Sequence, residues 1–125
     1  RVPKDSRDLS LLVARYHGNV RRAEELKLST IADMLQAVDA YRKPGRFNEF
    51  LQACACDFHG RPGYVAKPYP QAKHLQRAFW AAKSVDAGAI ATELSQKFRD
   101  SADLPITIHS KVREARIARI RTELT

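Results

Sequence analysis

The chain of 125 residues has only two cysteines, one tryptophan and one methionine. Two cysteines cannot staple a disulfide scaffold, and without a secretory signal they are expected to be reduced thiols of a cytosolic protein. Long apolar runs are also missing; the longest are stretches such as Leu11-Leu12-Val13-Ala14. None approaches the ~20 residues that span a bilayer, and no signal-peptide pattern is expected, so no membrane partner is either. Strict apolar/polar alternation is absent, which argues against a sheet. Chemical signatures are equally scarce, with no nucleophilic triad and no phosphate loop. The acids Asp5, Asp8, Glu24, Glu25, Asp33 and Asp39 lie mainly on polar faces, whereas two-metal nucleotidyl transfer needs carboxylates held close together. There is no internal repeat and no low-complexity stretch.

Positive charge is plentiful. Twenty-two Lys and Arg against fourteen acids give a net charge of +8 and pI ≈ 9.9. A polyanionic partner such as nucleic acid is the natural inference, the alternative being a helical domain with incidental excess charge. At 44% hydrophobic and 29% charged, the chain can bury a core. Its length suits one domain or the end of a larger one. It opens on Arg1 rather than Met, which points to a fragment, a processed chain or an unseen start.

Helical periodicity runs through the sequence. Leu9, Leu12, Val13 and Tyr16 share a face of a first helix that Gly18 is expected to end. Asn19 is expected to cap a short second helix through Leu26. Ser29 or Thr30 then caps a third, with Ile31, Met34, Leu35, Val38 and Tyr41 as its stripe, and Pro44-Gly45 breaks it. Phe47, Phe50, Leu51, Cys54, Ala55 and Phe58 form the strongest stripe. A loop at 60–70 carries Pro62, Pro68 and Pro70. Pro70 fits the first turn of a helix with Leu75, Ala78, Phe79 and Ala82 inward. Asp86 caps the next, striped by Ile90, Leu94 and Phe98. Leu104-Pro105 precedes a last helix carrying Val112, Ile117, Ile120 and Leu124. The expected fold is all-α: six to seven short-to-medium helices in an irregular orthogonal bundle, without a sheet.

Cys54, Cys56 and His59 invite a zinc reading, which the spacing opposes. Helical residues two apart point about 200° from each other, so both thiols cannot reach one ion. Cys54 reads instead as a small core residue. His17, beside Gly18, is either a helix-end histidine favoured by the dipole or a metal or phosphate contact. Glu24 and Glu25 are expected to form surface pairs with Arg21 and Arg22. Basic residues gather in three places. Arg42, Lys43 and Arg46 surround Pro44-Gly45 beside Tyr41. Arg61, Lys67, Lys73 and His74 follow the central break, interleaved with Tyr64 and Tyr69. Lys111, Arg113, Arg116, Arg119 and Arg121 line the last helix. Each group is a solvated face or a phosphate-tracking surface, the latter conferring affinity rather than sequence specificity. Gly60-Arg61-Pro62-Gly63 stands out as a stiff corner presenting a cation.

The order of several segments resembles a known family. These are Leu9-Ser10-Leu11-Leu12-Val13-Ala14-Arg15-Tyr16-His17, Asp39-Ala40-Tyr41-Arg42-Lys43-Pro44, Gly60-Arg61-Pro62-Gly63-Tyr64, Tyr69-Pro70-Gln71 and Arg113-Glu114-Ala115-Arg116-Ile117-Ala118. Together they resemble the C-terminal region of the bacterial CCA-adding enzyme, the tRNA nucleotidyltransferase, in its long multifunctional form with an HD phosphohydrolase domain. The resemblance implies that residues 1–41 end an HD-like helical domain and that 42–125 form a helical tail packed with it. It implies a longer enzyme that adds CCA to tRNA 3′ ends from CTP and ATP, with Mg2+ for the transfer, in the cytoplasm. The catalytic carboxylates of that enzyme lie in head and neck regions outside this chain, so the chain alone is expected to be inactive and to need no cofactor.

Residue by residue the resemblance carries over only His17 and Arg61; the basic groups supply the other candidates. Arg42, Lys43, Arg46, Arg61, Lys67, Arg113, Arg116 and Arg119 are the expected tRNA contacts. Gly60 and Gly63 would supply backbone freedom around Arg61. His17 matches a histidine of the family's HD site, which in the longer enzyme would hold a divalent metal, but Arg21 stands where many members have a second histidine. Val65-Ala66-Lys67 replaces acidic residues that often follow the corner. Two other readings stay open: a fragment of an HD-type metal-dependent phosphohydrolase, and a helical scaffold or oligomerisation module.

Overall fold

A computed structural model describes residues 4–125, with side chains from residue 6 onward; Arg1 and the side chain of Asp5 lie outside the described residues. Six α-helices and one 3-10 helix make up the fold, and no strand occurs among the described residues, as the periodicity predicts. They are α1 (Lys4–Arg21), the 3-10 helix (Ala23–Glu25), α2 (Leu28–Ala37), α3 (Pro44–His59), α4 (Gln71–Lys83), α5 (Ala87–Lys97) and α6 (Leu104–Leu124).

Several expected boundaries move. Gly18 does not end α1, which continues to Arg21. Glycine inside a helix costs about 1 kcal/mol, and burying Val20, the last residue but one of α1, offsets it. Asn19 is therefore helical, and no cap. Ser29 and Thr30 lie inside α2, whose N-cap is Lys27 with no side-chain hydrogen bond. Pro44 opens α3 at its first turn, where its missing N–H is harmless. What ends α2 is a Schellman closure ahead of it. Asp39 takes a left-handed φ of 59°, its N–H donates to the Gln36 carbonyl (3.1 Å), and that of Ala40 donates to the Leu35 carbonyl (3.1 Å). Ala40, fully buried, supplies the apolar contact that accompanies this motif. Asp86 caps α5 as expected, its Oδ1 accepting from the Ala89 N–H at 2.9 Å.

The core lies where α1, α2, α3, α4 and the second half of α6 meet. Phe47, Phe50, Phe79, Leu35, Leu75 and Ile120 are fully buried there. The Phe47 and Phe79 rings stand 5.1 Å apart, and Tyr41 stacks 6.0 Å from Phe79. Burying such side chains is worth about 1.5–3 kcal/mol each. Val20, Ile31 and Leu35 share this core cluster with Phe50, Leu75 and Ile120, so both ends of the sequence contribute to it. Cys54 is buried on the α3 stripe, and burial pushes its thiol up to about 11. By contrast α5 buries no residue. It lies on α6, and Phe98 (51%) and Ile106 (71%) remain exposed around that hairpin.

Candidate nucleic-acid interface

The corner after α3 is a tight turn with a defined cause. The Tyr64 N–H donates to the Arg61 carbonyl (3.0 Å), Pro62 stands second, and Gly63 has φ 81°. This is the pattern of a type II turn, whose third residue needs positive φ. Gly60, in contrast, has an ordinary helical φ of −74°, so the freedom expected of both glycines is needed only at Gly63. Aromatic rings pin the loop. Phe58 meets Tyr64 at 5.0 Å and Tyr69 at 4.8 Å. His59 Nε2 lies 2.8 Å from the Lys67 carbonyl. A carbonyl only accepts, so Nε2 carries the proton. Lys67 Nζ sits 4.1 Å over the Tyr64 ring.

The next clamp joins the loop to α1. Gln71 Nε2 donates to the Arg21 carbonyl at 2.9 Å, satisfying one of the acceptors left open at the end of α1. Burial pushes the Tyr69 hydroxyl up to about 12, with Cys54 and Asp57 adding to the effect and the Arg21 guanidinium opposing it. The end of α1 at Arg21 is thus held against the start of α4. Neither Arg21 nor Arg22 pairs with Glu24 or Glu25 among the described residues, contrary to expectation. Both arginines are exposed at the end of α1, the end that Gln71 ties to the start of α4. Arg61 and Lys67 likewise have no ion pair to a described residue.

The arginines of α6 have a different environment. Arg113 forms a bidentate pair with Asp33 on α2, at 2.8 and 3.1 Å. That hydrogen-bonded guanidinium holds the Asp33 carboxyl below its ordinary value, and Asp33 raises Arg113 in turn. Arg116 lies 4.0 Å over the Tyr41 ring and donates to Gln36 Oε1 at 2.9 Å. Arg119 donates to Ser84 Oγ at 2.8 Å. The three reach α2, the turn after it and the end of α4. Around Pro44, Arg46 Nη2 donates to the Val38 carbonyl at 2.7 Å, and Arg42 pairs with Asp39 at 3.3 Å. Lys43 is exposed, and with Arg46, Ser6, Leu9 and Glu49 it borders a hollow of about 300 Å³.

His17 lies within α1, not at its end, because the helix continues past Gly18. Its Nδ1 donates to the Val13 carbonyl at 3.0 Å. Among the described residues no three His, Cys, Asp or Glu side chains gather to hold a metal ion, so those residues do not fit one around His17. Sequence reading also passed over Trp80. It is 60% exposed in an open groove of about 470 Å³ lined by Lys73, Arg77, Ser84 and, from α6, Glu123. The available signal was its position: Lys73, Arg77, Trp80 and Ser84 recur at three- and four-residue steps opposite the buried face of α4.

The architecture and the grouped cations describe a basic all-α unit with a pinned, cation-rich corner. The chain is 63% identical over 122 residues to the multifunctional CCA protein of Nitrosospira multiformis, covering 98% of this chain and 30% of the relative. It is 62% identical over 125 residues to that of Nitrosomonas eutropha (100% and 30%) and 46% identical to that of a Janthinobacterium species (99% and 29%). Over essentially its whole length, the chain is similar to the C-terminal region of multifunctional CCA proteins. It spans about 30% of the length of these curated relatives. No family model and no solved structure matches it. No described helix is long and apolar enough to cross a membrane.

Proposed function

We propose that the chain is the tRNA-holding C-terminal part of a CCA tRNA nucleotidyltransferase. The longer enzyme would add C, C and A to tRNA 3′ ends from CTP and ATP, using Mg2+ bound outside this chain, in the cytoplasm. Residues 1–41 would end its HD-like domain and 42–125 would form its tail. The observation that carries this reading is the end-to-end similarity to multifunctional CCA proteins. The cations of the corner accord with it, because they carry no ion pair to a described residue and stand on a rigid turn.

Arg61, Lys67 and Lys43, joined by Arg21 and Arg22, would meet phosphates, Arg61 from the turn that Gly63 permits. Arg42 and Arg119 retain exposed N–H groups that could add to this surface. Arg46, Arg113 and Arg116 would act mainly by holding the surface in shape through their internal partners. Backbone contacts of this type recognise the shape of folded RNA rather than its sequence. The test is tRNA binding to the chain over a salt series. A slope of log K against log salt near −3 or steeper is expected for several neutralised phosphates. A flat response, or no binding, would favour a helical scaffold instead.

A further inference from the structure

We propose that Trp80 is a stacking platform for one unpaired base within a single-stranded RNA segment, with phosphates of the neighbouring nucleotides held by Lys73 at one end of the groove and Arg119 at the other. This deepens the tRNA reading and rests on it. Trp80 is the chain's one tryptophan, and it is 60% exposed on an otherwise amphipathic helix. An exposed indole forgoes a large burial gain, so its place in a lined groove points to an occupant. The ring does not float. It meets buried Phe79 in an edge-to-face arrangement, centroids 5.1 Å apart at 67°, and its exposed surface is open to a stacking base.

The groove's other walls are fixed and nearly neutral. Arg77 donates to the Glu123 carboxylate at 3.2 Å and to the Glu123 carbonyl at 2.6 Å. The one acid in the lining, which would otherwise repel a phosphate, is thereby neutralised. Ser84 Oγ donates to the Ala81 carbonyl (2.6 Å) and accepts from Arg119 (2.8 Å), which anchors that guanidinium at the far end. Lys73, exposed and without an ion pair to a described residue, marks the other end, in the first turn of α4. From Lys73 to Ser84 is about 16 Å along the helix at 1.5 Å per residue. An aromatic face between two cations is the arrangement that holds single-stranded nucleic acid. A second copy of this strongly basic chain would bring like charges to the same rim, so RNA is the better match.

Because Trp80 is the sole indole, its emission reports on the groove directly. The chain is titrated with tRNA and with a hexauridylate while binding is followed separately by filter retention. Expected are quenching of Trp80 by both ligands and a loss of affinity of roughly 5- to 150-fold in W80A. W80F should keep most of the affinity, and both variants should melt within a few degrees of the parent. If tRNA is retained but Trp80 emission is unchanged and W80A binds normally, the platform is overturned while the tRNA reading stands. If tRNA is not retained by any form at low salt, both fail. Emission that depends on protein concentration rather than RNA would mark the groove as a self-association surface and also overturn the proposal.

Discussion

Two groups of cations look alike in the sequence and differ in the fold. Two arginines of α6 are tied inward, Arg113 to Asp33 and Arg116 to Tyr41 and Gln36, whereas exposed Arg119 is only anchored, by one hydrogen bond to Ser84. The cations around the Arg61 turn, like Arg21 and Arg22 at the end of α1, have no carboxylate partner among the described residues. A count of positive residues therefore overstates the surface available to a phosphate. A guanidinium already engaged with a protein acceptor must give up those bonds before it can serve a ligand.

The largest expected effect separates the groups by binding. Removing the corner cations together (R21A, R22A, R61A, K67A) should weaken tRNA binding about 100-fold at 0.1 M salt and reduce the salt slope by about 2–3. The melting temperature should move by only a few degrees. If affinity survives, the comparison collapses and the α6 face becomes the better interface.

Next comes stability. Arg116→Ala removes a half-buried cation–π contact and a hydrogen bond, so urea unfolding should show a loss of about 1–3 kcal/mol. Its salt slope for tRNA should be unchanged. Gly63→Ala places a Cβ at φ 81°, and about 1 kcal/mol should be lost. There tRNA affinity should fall as well, because the turn that displays Arg61 is strained; unchanged affinity would mean that the turn's shape is irrelevant to binding.

The smallest effect is on pH dependence. The folded Asp33 carboxyl is held below its unfolded value by Arg113. Its contribution is thus present above the unfolded value of about 3.8 and is lost as pH falls through the lower folded value. Both side chains are exposed, so the effect is modest. In Arg113→Ala the unfolding curve should be less sensitive to pH between about 5 and 3, while neutral-pH tRNA binding stays the same.

Much of the fold was legible in the linear pattern. The stripes on α3 and α4, the Asp86 cap and the loop at 60–70 follow from apolar periodicity, side-chain capping and proline placement, all of which act within a few residues. The boundaries that moved depended on distant contacts. Burial of Val20 carried α1 through Gly18, and a Schellman closure at Asp39 ended α2 before Pro44. The site was less legible for the same reason. The end of α1 meets the start of α4 through the Gln71–Arg21 hydrogen bond across 50 residues, and Trp80 acquires a groove only when Glu123 folds against α4.

By itself, then, the sequence determined the all-α class, the main apolar faces, the excess positive charge and the kinship to CCA proteins, since periodicity, charge and residue order are properties of the chain. The tertiary structure alone decided which cations are tethered and which remain open to a ligand. A salt bridge such as Arg113–Asp33 joins residues 80 apart, and its partner is chosen by how α2 and α6 pack, not by anything adjacent in the chain.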